Sequence, residues 1–593
     1  MESPTGLREA TINLITSTSV TPSVKAAPNA VKALADSAPS SRTHLGPIRE
    51  GPDSPEAITD QERSAVATSF WSKIWAERKG SASLADRSAF LSSYNKSVDT
   101  ELLAVPSLVE VLAAIHHTNN SSAGPDGISF AAWRAAPELA APILLRVFRA
   151  LCSGQPPPPG FNLGLLFLLP KKHTGLVSDT RPLSVTNTDN RILASLTARA
   201  IMPAVLELVD PAQKGFLNGR SGSEHTVEIN TYFYTGVEEK LDRLLFLLDT
   251  AKAFDSIDHA WIHQVLEHTK FPSWFRFFVR GALNDVKVSP FFGGATFNLI
   301  DIKRGVKQGC PLSPLLFILA YDPLLHALSS VPHISNFAFA DDLAITTSSV
   351  ALIYPALRCI DSFSFVSGLG VNREKSLVLS TSPPHKLALI RDGLAKSPWP
   401  DLPLKDKGTH LGVVIGRLAT LDDIWATPMS RALDRIKKVT PFMKTLSLSN
   451  RIIYVNVFIV SIFSYIGLYF VLPTLLWKTI KNAISKLIIP FNGGAFTYNS
   501  LICSNAVFGL KPTLKDVWAF TSSLLAARSP LISTNTNYNL LPSINLTFTK
   551  LITRHRDAAA VDFWRGRHMP DGTLLPLSSP SSSCIYKAIL FDL

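Results

Sequence analysis

Two short apolar segments that run straight into carboxylates constrain this chain more than any other feature. Leu244 to Leu248 is uninterrupted and is followed at once by Asp249, while Asn336 to Ala340 runs into the adjacent pair Asp341 and Asp342 before Leu343, Ala344 and Ile345 resume the apolar pattern. Runs this short, bounded by charged residues, suit buried strands, and the second reads as a hairpin with two carboxylates at its turn. Folded side by side, the strands would gather three like charges at one sheet edge, where cations relieve the repulsion. Hard divalent ions take carboxylate oxygens. A pair of them roughly 4 Å apart stabilises both the attacking and the leaving oxygen of a phosphoryl transfer.

The surrounding chain reads as α+β. Leu163 to Leu169 is a third strand candidate, and helical segments separate the strands. At 593 residues with 46% hydrophobic content, several subdomains are expected, and the net charge of +12 suits a polyanionic partner. Cys152, Cys310, Cys359, Cys503 and Cys584 are scattered without zinc-ligand spacing, which excludes a disulfide framework or zinc knuckle. The N-terminal sequence lacks the pattern of a signal peptide, so nucleus or cytoplasm is the expected location.

Residues 1–57, rich in Ser, Ala, Pro and Thr, read as a disordered lead, with order beginning near Thr59. A helical extension over 58–120 follows, opened by Thr59 with Glu62 and again by Ser107 with Glu110 as capping boxes. The strand-bearing part is expected over 121–425. A helical region over 426–490 comes next, with Leu433, Ile436, Val439 and Phe442 on its apolar face. Within it, Ile452 to Trp477 holds 26 residues without a formal charge, long enough to span a membrane. A helix packed in protein is expected instead, because Asn456, Ser461, Ser464 and Gly467 interrupt the apolar surface, Pro473 ends it, and no second hydrophobic span accompanies it. No membrane partner is expected. Residues 491–593 read as a linker-like region.

The motifs beyond the carboxylates complete a pattern. Asp249-Thr250-Ala251-Lys252-Ala253-Phe254-Asp255, Gly305 through Pro314, and Phe339-Ala340-Asp341-Asp342 resemble motifs A, B and C of reverse transcriptases, closest to the non-LTR (LINE-type) retrotransposon branch. Flanking segments are similar too: Gly124 to Ile128, Leu169 to Lys172 and Arg181 to Ser184 in the fingers, and Gln213-Lys214-Gly215-Phe216 with Gly219-Arg220-Ser221 before motif A. Gly368 to Asn372 with Lys375-Ser376 resembles motif D, and His410-Leu411-Gly412 resembles the primer grip, with His410 in place of the more usual aromatic residue. The resemblance runs over roughly residues 60 to 525.

It implies a right-hand polymerase with fingers, a palm built on an antiparallel sheet with helices, and a helical thumb. The implied activity is RNA-directed DNA synthesis on an RNA template and DNA primer, with dNTPs and two Mg2+ ions, for which Mn2+ can substitute. Asp249, Asp341 and Asp342 would hold the metals. Lys171 and Arg181 would grip the incoming β and γ phosphates, and Lys375 would meet the departing pyrophosphate. Phe254 would lie beneath the incoming sugar and exclude a 2′-OH. Gln308 and Gly309 would begin a helix under the template base, with Pro311 in its first turn, and Cys310 would be a packing residue. Arg431, Arg435, Lys437, Lys438 and Lys444 would track the duplex from the thumb. The C-terminal sequence carries no zinc knuckle, restriction-like endonuclease pattern or RNase H carboxylate set. The chain is therefore expected to be a fragment or to obtain nicking from a partner. The alternatives are a group II intron-like maturase and a non-catalytic domesticated or decayed retroelement protein.

Overall fold

The structure, a computed structural model, describes residues 45–172, 174–489, 498–502, 514–522 and 524. The described residues divide into two compact units, one running up to Leu411 and the other from Gly412.

In the first unit, the helix Asp60–Trp75 begins where the capping box demands: Thr59 Oγ1 accepts from the Glu62 amide at 3.3 Å, and the Glu62 carboxylate accepts from the Thr59 amide at 2.9 Å. Its buried face carries Trp71 and Trp75, which stack at 5.0 Å as their four-residue spacing allows. Order begins earlier than the sequence suggested. Ile48 is fully buried and pairs with Ala57 in a β-bridge, so residues 45–57 belong to the folded unit. One buried isoleucine in a Pro- and Gly-rich stretch gives no periodicity to read. Residues 1–44 of the expected lead lie outside the described residues.

Two sheets follow. The first holds β1 (Leu163–Pro170), β2 (Thr180–Thr186), β4 (Lys287–Phe292), β5 (Ala295–Thr296) and β6 (Ile300–Asp301), while β3 (Leu244–Thr250) belongs to the second. β1 and β2 form an antiparallel hairpin, and β1 pairs with β4 in parallel. The second sheet adds β7 (Ile334–Phe339), β8 (Asp342–Thr347), β9 (Val371–Ser380) and β10 (Leu404–Lys405), in the order β10-β9-β3-β8-β7. Its four central strands are antiparallel, and β10 joins β9 in parallel. β3, whose apolar residues are all buried, runs through the middle of the sheet, as an unbroken apolar strand must.

The helix Ser313–Ser329 packs behind this sheet with most of its residues buried. It opens at Ser313 with Pro314 in its first turn, not at Gln308. Gly309, at φ +114°, cannot be helical, so Gln308 to Leu312 remain a loop and Pro311 precedes the helix. The helix Val350–Ser367 is a second segment long and apolar enough to cross a membrane, contrary to the expectation of none. Ile353, Leu357, Ile360 and Phe363 seat it in the main core.

The second unit contains the helices Leu421–Met443 and Thr474–Ile488, with a helical path from Leu448 to Gly467. The expected boundary at 425/426 falls inside the first of these helices. Its buried face is Ile424, Trp425, Met429, Ala432, Ile436, Val439 and Met443, and Leu433 is exposed. The true stripe runs through Ala432, whose small side chain the apolar pattern underweights. The path from Leu448 is not one regular helix: Val455–Ile459 is a π segment and Val460–Phe463 a 3-10 segment, and helicity ends at Gly467. Pro473 caps the following helix rather than ending this one. Phe458, Ile459 and Phe463 are buried. Apart from Tyr498–Ile502, 514–522 and 524, the expected linker-like region 491–593 lies outside the described residues.

Candidate active site

The β3–β8 ladder ends with Leu248 opposite Leu343, so Asp249 and Asp342 are the next positions of their strands at the same sheet edge. β7 and β8 pair up to Phe339 opposite Asp342, which leaves Ala340 and Asp341 as the turn. The pairing of β3 with β9 shifts register between Leu247 and Asp249, a bulge that re-aims the strand end. The Asp249 amide donates to Ser376 Oγ at 3.1 Å, and Ser376 Oγ donates to the Asn372 carbonyl at 2.7 Å. Thr250 Oγ1 donates to the Asp341 carbonyl at 3.0 Å, tying the two strand ends together.

Asp249 acts electrostatically on both Asp341 and Asp342, and Asp341 acts on Asp342. Burial raises the Asp341 carboxyl above its ordinary value and Asp249 raises it further, against Lys171 and Arg181, which lower it. Asp342 sits at the rim and is exposed, yet the shielding of the cleft, then Asp341 and Asp249, push it up to about 6. Lys171 follows the last residue of β1, its amide donating to the Asp179 carbonyl at 2.7 Å, and Arg181 lies opposite Leu169 in the same hairpin. Both side chains are exposed. The hairpin therefore presents two cations toward the carboxylate edge, an arrangement able to hold a polyanion between them.

Phe254 is half-buried and stacks on Phe317 at 4.8 Å and 13°, with Phe216 edge-on at 6.0 Å. The loop from Gly305 to Gly309 is knitted to the same region. The Gly305 amide donates to the Ile257 carbonyl and the Val306 amide to the Phe254 carbonyl, both at 2.7 Å. A Cβ at Gly305 would lie 2.7 Å from the Asp255 backbone, so only glycine fits. The Gln308 carbonyl accepts from the Ser184 amide at 2.7 Å, and Gln308 Nε2 donates to the Asp255 carboxyl at 3.0 Å. Burial pushes Asp255 up to about 7, against Lys252 and the hydrogen bonds from Trp75 and Gln308. Gly309 is exposed beside Ser184, Cys310 packs against the core, and Lys375 is exposed on β9.

His410 turns inward. Its side chain is buried, burial holds the imidazole down to about 4 and hence neutral, and Nε2 has no hydrogen-bond partner among the described residues. Leu411 and Gly412 both have positive φ, which makes a sharp turn after it. Arg435 is half-buried and donates to the Phe458 carbonyl, whereas Arg431, Lys437, Lys438 and Lys444 are exposed.

Two residues at the site escaped sequence reasoning. Lys252, left-handed at φ +49°, lies 4.7 Å over the Trp71 ring and 5.1 Å over Phe70, and its Nζ donates to the Ser178 carbonyl at 2.9 Å. Burial, then Lys171, lower it to about 8. The signal was the Trp71–Trp75 spacing, which marks a helix face meant for a partner. Gln213 is a second omission, quoted within a motif but given no task.

Among the described residues, no three His, Cys, Asp or Glu side chains converge as a ready-made metal cage. The donors at the edge are nonetheless all hard carboxylate oxygens, with Asp249 acting on Asp341 and both acting on Asp342. Such a set fits small divalent ions that keep waters and substrate phosphates in their shell and take one or two carboxylates from the protein.

Comparison with known proteins agrees with this geometry. The reverse transcriptase (RNA-dependent DNA polymerase) family matches residues 169–415. The retrovirus-related Pol polyprotein from type-1 retrotransposable element R2 of Popillia japonica is 31% identical over 35% of this chain and 30% of its own length. The corresponding type-2 element R2DM protein of Drosophila melanogaster is 28% identical over 50% of this chain and 29% of its own. The Transposon TX1 uncharacterized 149 kDa protein of Xenopus laevis is 24% identical over 69% and 32%. The chain thus spans about a third of the length of these curated relatives. Reverse transcriptases as a family work with divalent metals, a nucleic-acid template and a primer, and the carboxylate edge, Lys171 and Arg181 of the hairpin, and the loop knitted to motif A all lie within the matched stretch. Residues 169–415 accordingly resemble a reverse transcriptase domain, and the relatives that share this stretch are proteins of retrotransposable elements.

Proposed function

We propose that this chain is the RNA-directed DNA polymerase of a retroelement, extending a primer 3′-OH with dNTPs on an RNA template. The observation that supports the reading is the placement of Asp249 and Asp342 at one sheet edge, with Asp341 in the adjoining turn and within the influence of Lys171 and Arg181. Two Mg2+ ions, or Mn2+ in their place, would supply stabilisation of the attacking and leaving oxygens when bound. Asp249 and Asp341 would hold the ions, with Asp342 adding negative charge beside them. Lys171 and Arg181 bind the incoming triphosphate, Arg181 in bidentate fashion. Lys375 neutralises the departing pyrophosphate.

Phe254, fixed by its stack on Phe317, supports the sugar and leaves no room for a 2′-OH. Gln308 and Gly309 bring backbone close to the template base, and His410, Leu411 and Gly412 shape the primer grip by their backbone turn. Arg431, Lys437, Lys438 and Lys444 contact duplex phosphates without sequence choice. A nuclear or cytoplasmic location goes with this reading, as does nicking by an activity outside these residues.

One assay tests it: extension of oligo(dT) on poly(rA) by the purified chain with Mg2+. Parent protein should incorporate dTTP, Asp341→Ala should abolish synthesis while keeping fold and primer–template affinity, and Phe254→Val should raise UTP incorporation relative to dTTP by about tenfold. Equal synthesis by Asp341→Ala and parent would remove the catalytic assignment. A parent that prefers UTP would move it to an RNA polymerase.

A further inference from the structure

We infer that Gln213 is a positioning residue for the reaction centre, clamping the backbone of the turn that presents Asp341 and Asp342. The inference rests on the catalytic reading of that turn. Gln213 is fully buried, and its amide makes three hydrogen bonds. Oε1 accepts from the Ala340 amide at 2.8 Å and from the Gly215 amide at 2.9 Å, while Nε2 donates to the Ala340 carbonyl at 3.1 Å. Ala340 is therefore held on both its donor and its acceptor by one side chain, as a neighbouring strand would hold it.

Ala340 needs that hold. It sits at φ +57°, a conformation that an L-residue with a Cβ adopts only when its surroundings enforce it. The turn is so tight that its own strands supply no partner for these two groups, and a buried amide and carbonyl left unpaired would be costly. No other side chain serves as well: a hydrocarbon satisfies neither group, and a carboxylate would bring a fourth negative charge to the aspartate edge.

The segment bearing Gln213 is itself fixed against the same strand. The Ala338 amide donates to the Ala212 carbonyl and the Lys214 amide to the Ala338 carbonyl, both at 2.9 Å. Arg220 donates to the carbonyls of Leu206, Val209, Asp210 and Gln213 at 2.7–3.0 Å, locking the loop from behind. A Cβ at Gly215 would stand 2.4 Å from the Ala340 nitrogen, so the glycine lets the clamp close. With Thr250 Oγ1 on the Asp341 carbonyl, the turn is gripped from two directions, and the carboxylates inherit its position.

The test uses the full chain in poly(rA)/oligo(dT) extension, with Gln213→Met, Gln213→Asn and Asp341→Asn compared side by side. Met keeps the buried volume without the amide, and Asn keeps the amide one methylene short of Ala340. For both Gln213 variants, kcat should fall by about ten- to a hundredfold, the size of effect that roughly 1 Å of misplacement produces, with the KM for dTTP and the primer–template Kd within about twofold. The Mg2+ concentration giving half-maximal rate should rise severalfold. Parental kcat in either folded variant would overturn the clamp, as would a loss spread equally over KM and Kd. If Gln213→Met does not fold, Gln213→Asn decides on the same criteria, and failure of both to fold would make Gln213 structural only. Asp341→Asn separates the two ideas. Its retention of activity sinks the catalytic reading itself, whereas an inactive Asp341→Asn beside fully active Gln213 variants sinks the clamp alone.

Discussion

Asp255 illustrates how a residue within a recognised motif acquires a property its neighbours in sequence do not announce. It lies six positions after Asp249 yet is buried, hydrogen-bonded by Gln308, and pushed up to about 7 chiefly by burial. The sign follows from linkage. A carboxyl whose folded value is raised contributes stability that is fully present below its unfolded value near 4 and is lost as pH rises through about 7. Parent protein should therefore lose stability between those limits on account of this group. Asp255→Asn keeps an acceptor for Gln308 without the charge and should escape that loss. Thermal unfolding at pH 5 and pH 8 reads the difference: the variant should gain on the parent at pH 8 by on the order of 2 kcal/mol. A gap between variant and parent that is the same at both pH values would remove the effect.

Among the elements, the helix Asp60–Trp75 does more than extend the chain. Trp71 and Trp75 enter the core that also contains Leu166, Leu168 and Val288 of the first sheet, and Trp71 with Phe70 forms the aromatic wall over which Lys252 lies. Attraction of an ammonium to ring faces is strongest when the pair is withdrawn from water, as here. The helix thus braces motif A from outside the stretch that matches the family. Trp71→Ala should lower the unfolding free energy by roughly 3–5 kcal/mol, as deletion of a fully buried large aromatic does. Trp71→Phe keeps a ring under Lys252 and should restore a large part of it. Urea midpoints measure both, and a Trp71→Ala midpoint equal to the parent's would mean that the helix is not integral to the core.

At the scale of the whole molecule, the helical unit after Gly412 separates its basic residues by task. Arg435 is spent inward on the Phe458 carbonyl, while Lys437, Lys438 and Lys444 are exposed. Replacing the three lysines by Gln should weaken primer–template binding uniformly across sequences and reduce the slope of log K against log salt by about 2 to 3. Arg435→Gln should instead lower stability with the slope unchanged. Fluorescence anisotropy over a salt series distinguishes them, and an unaltered slope in the triple variant would place the duplex contacts elsewhere.

The amino-acid sequence alone determined the parts of this protein that depend on short-range pattern. Leu244 to Leu248 and Leu163 to Leu169 fit strands, although Leu169 proves exposed, Asp249, Asp341 and Asp342 fall at or beside strand ends at fixed positions, and Thr59 with Glu62 caps a helix through bonds three residues apart. Tertiary structure decided whatever depends on partners distant along the chain. Gln213 meets Ala340 across 127 positions, Lys252 meets Trp71, His410 turns inward, and Ala432 rather than Leu433 lies on the buried stripe. A side chain's burial and hydrogen-bond partner are set by which surfaces close over it, and periodicity reports only that a face is apolar. The identity of the reacting groups was therefore legible from spacing, while the residues that hold them in place became visible only once the sheet had brought its turns together.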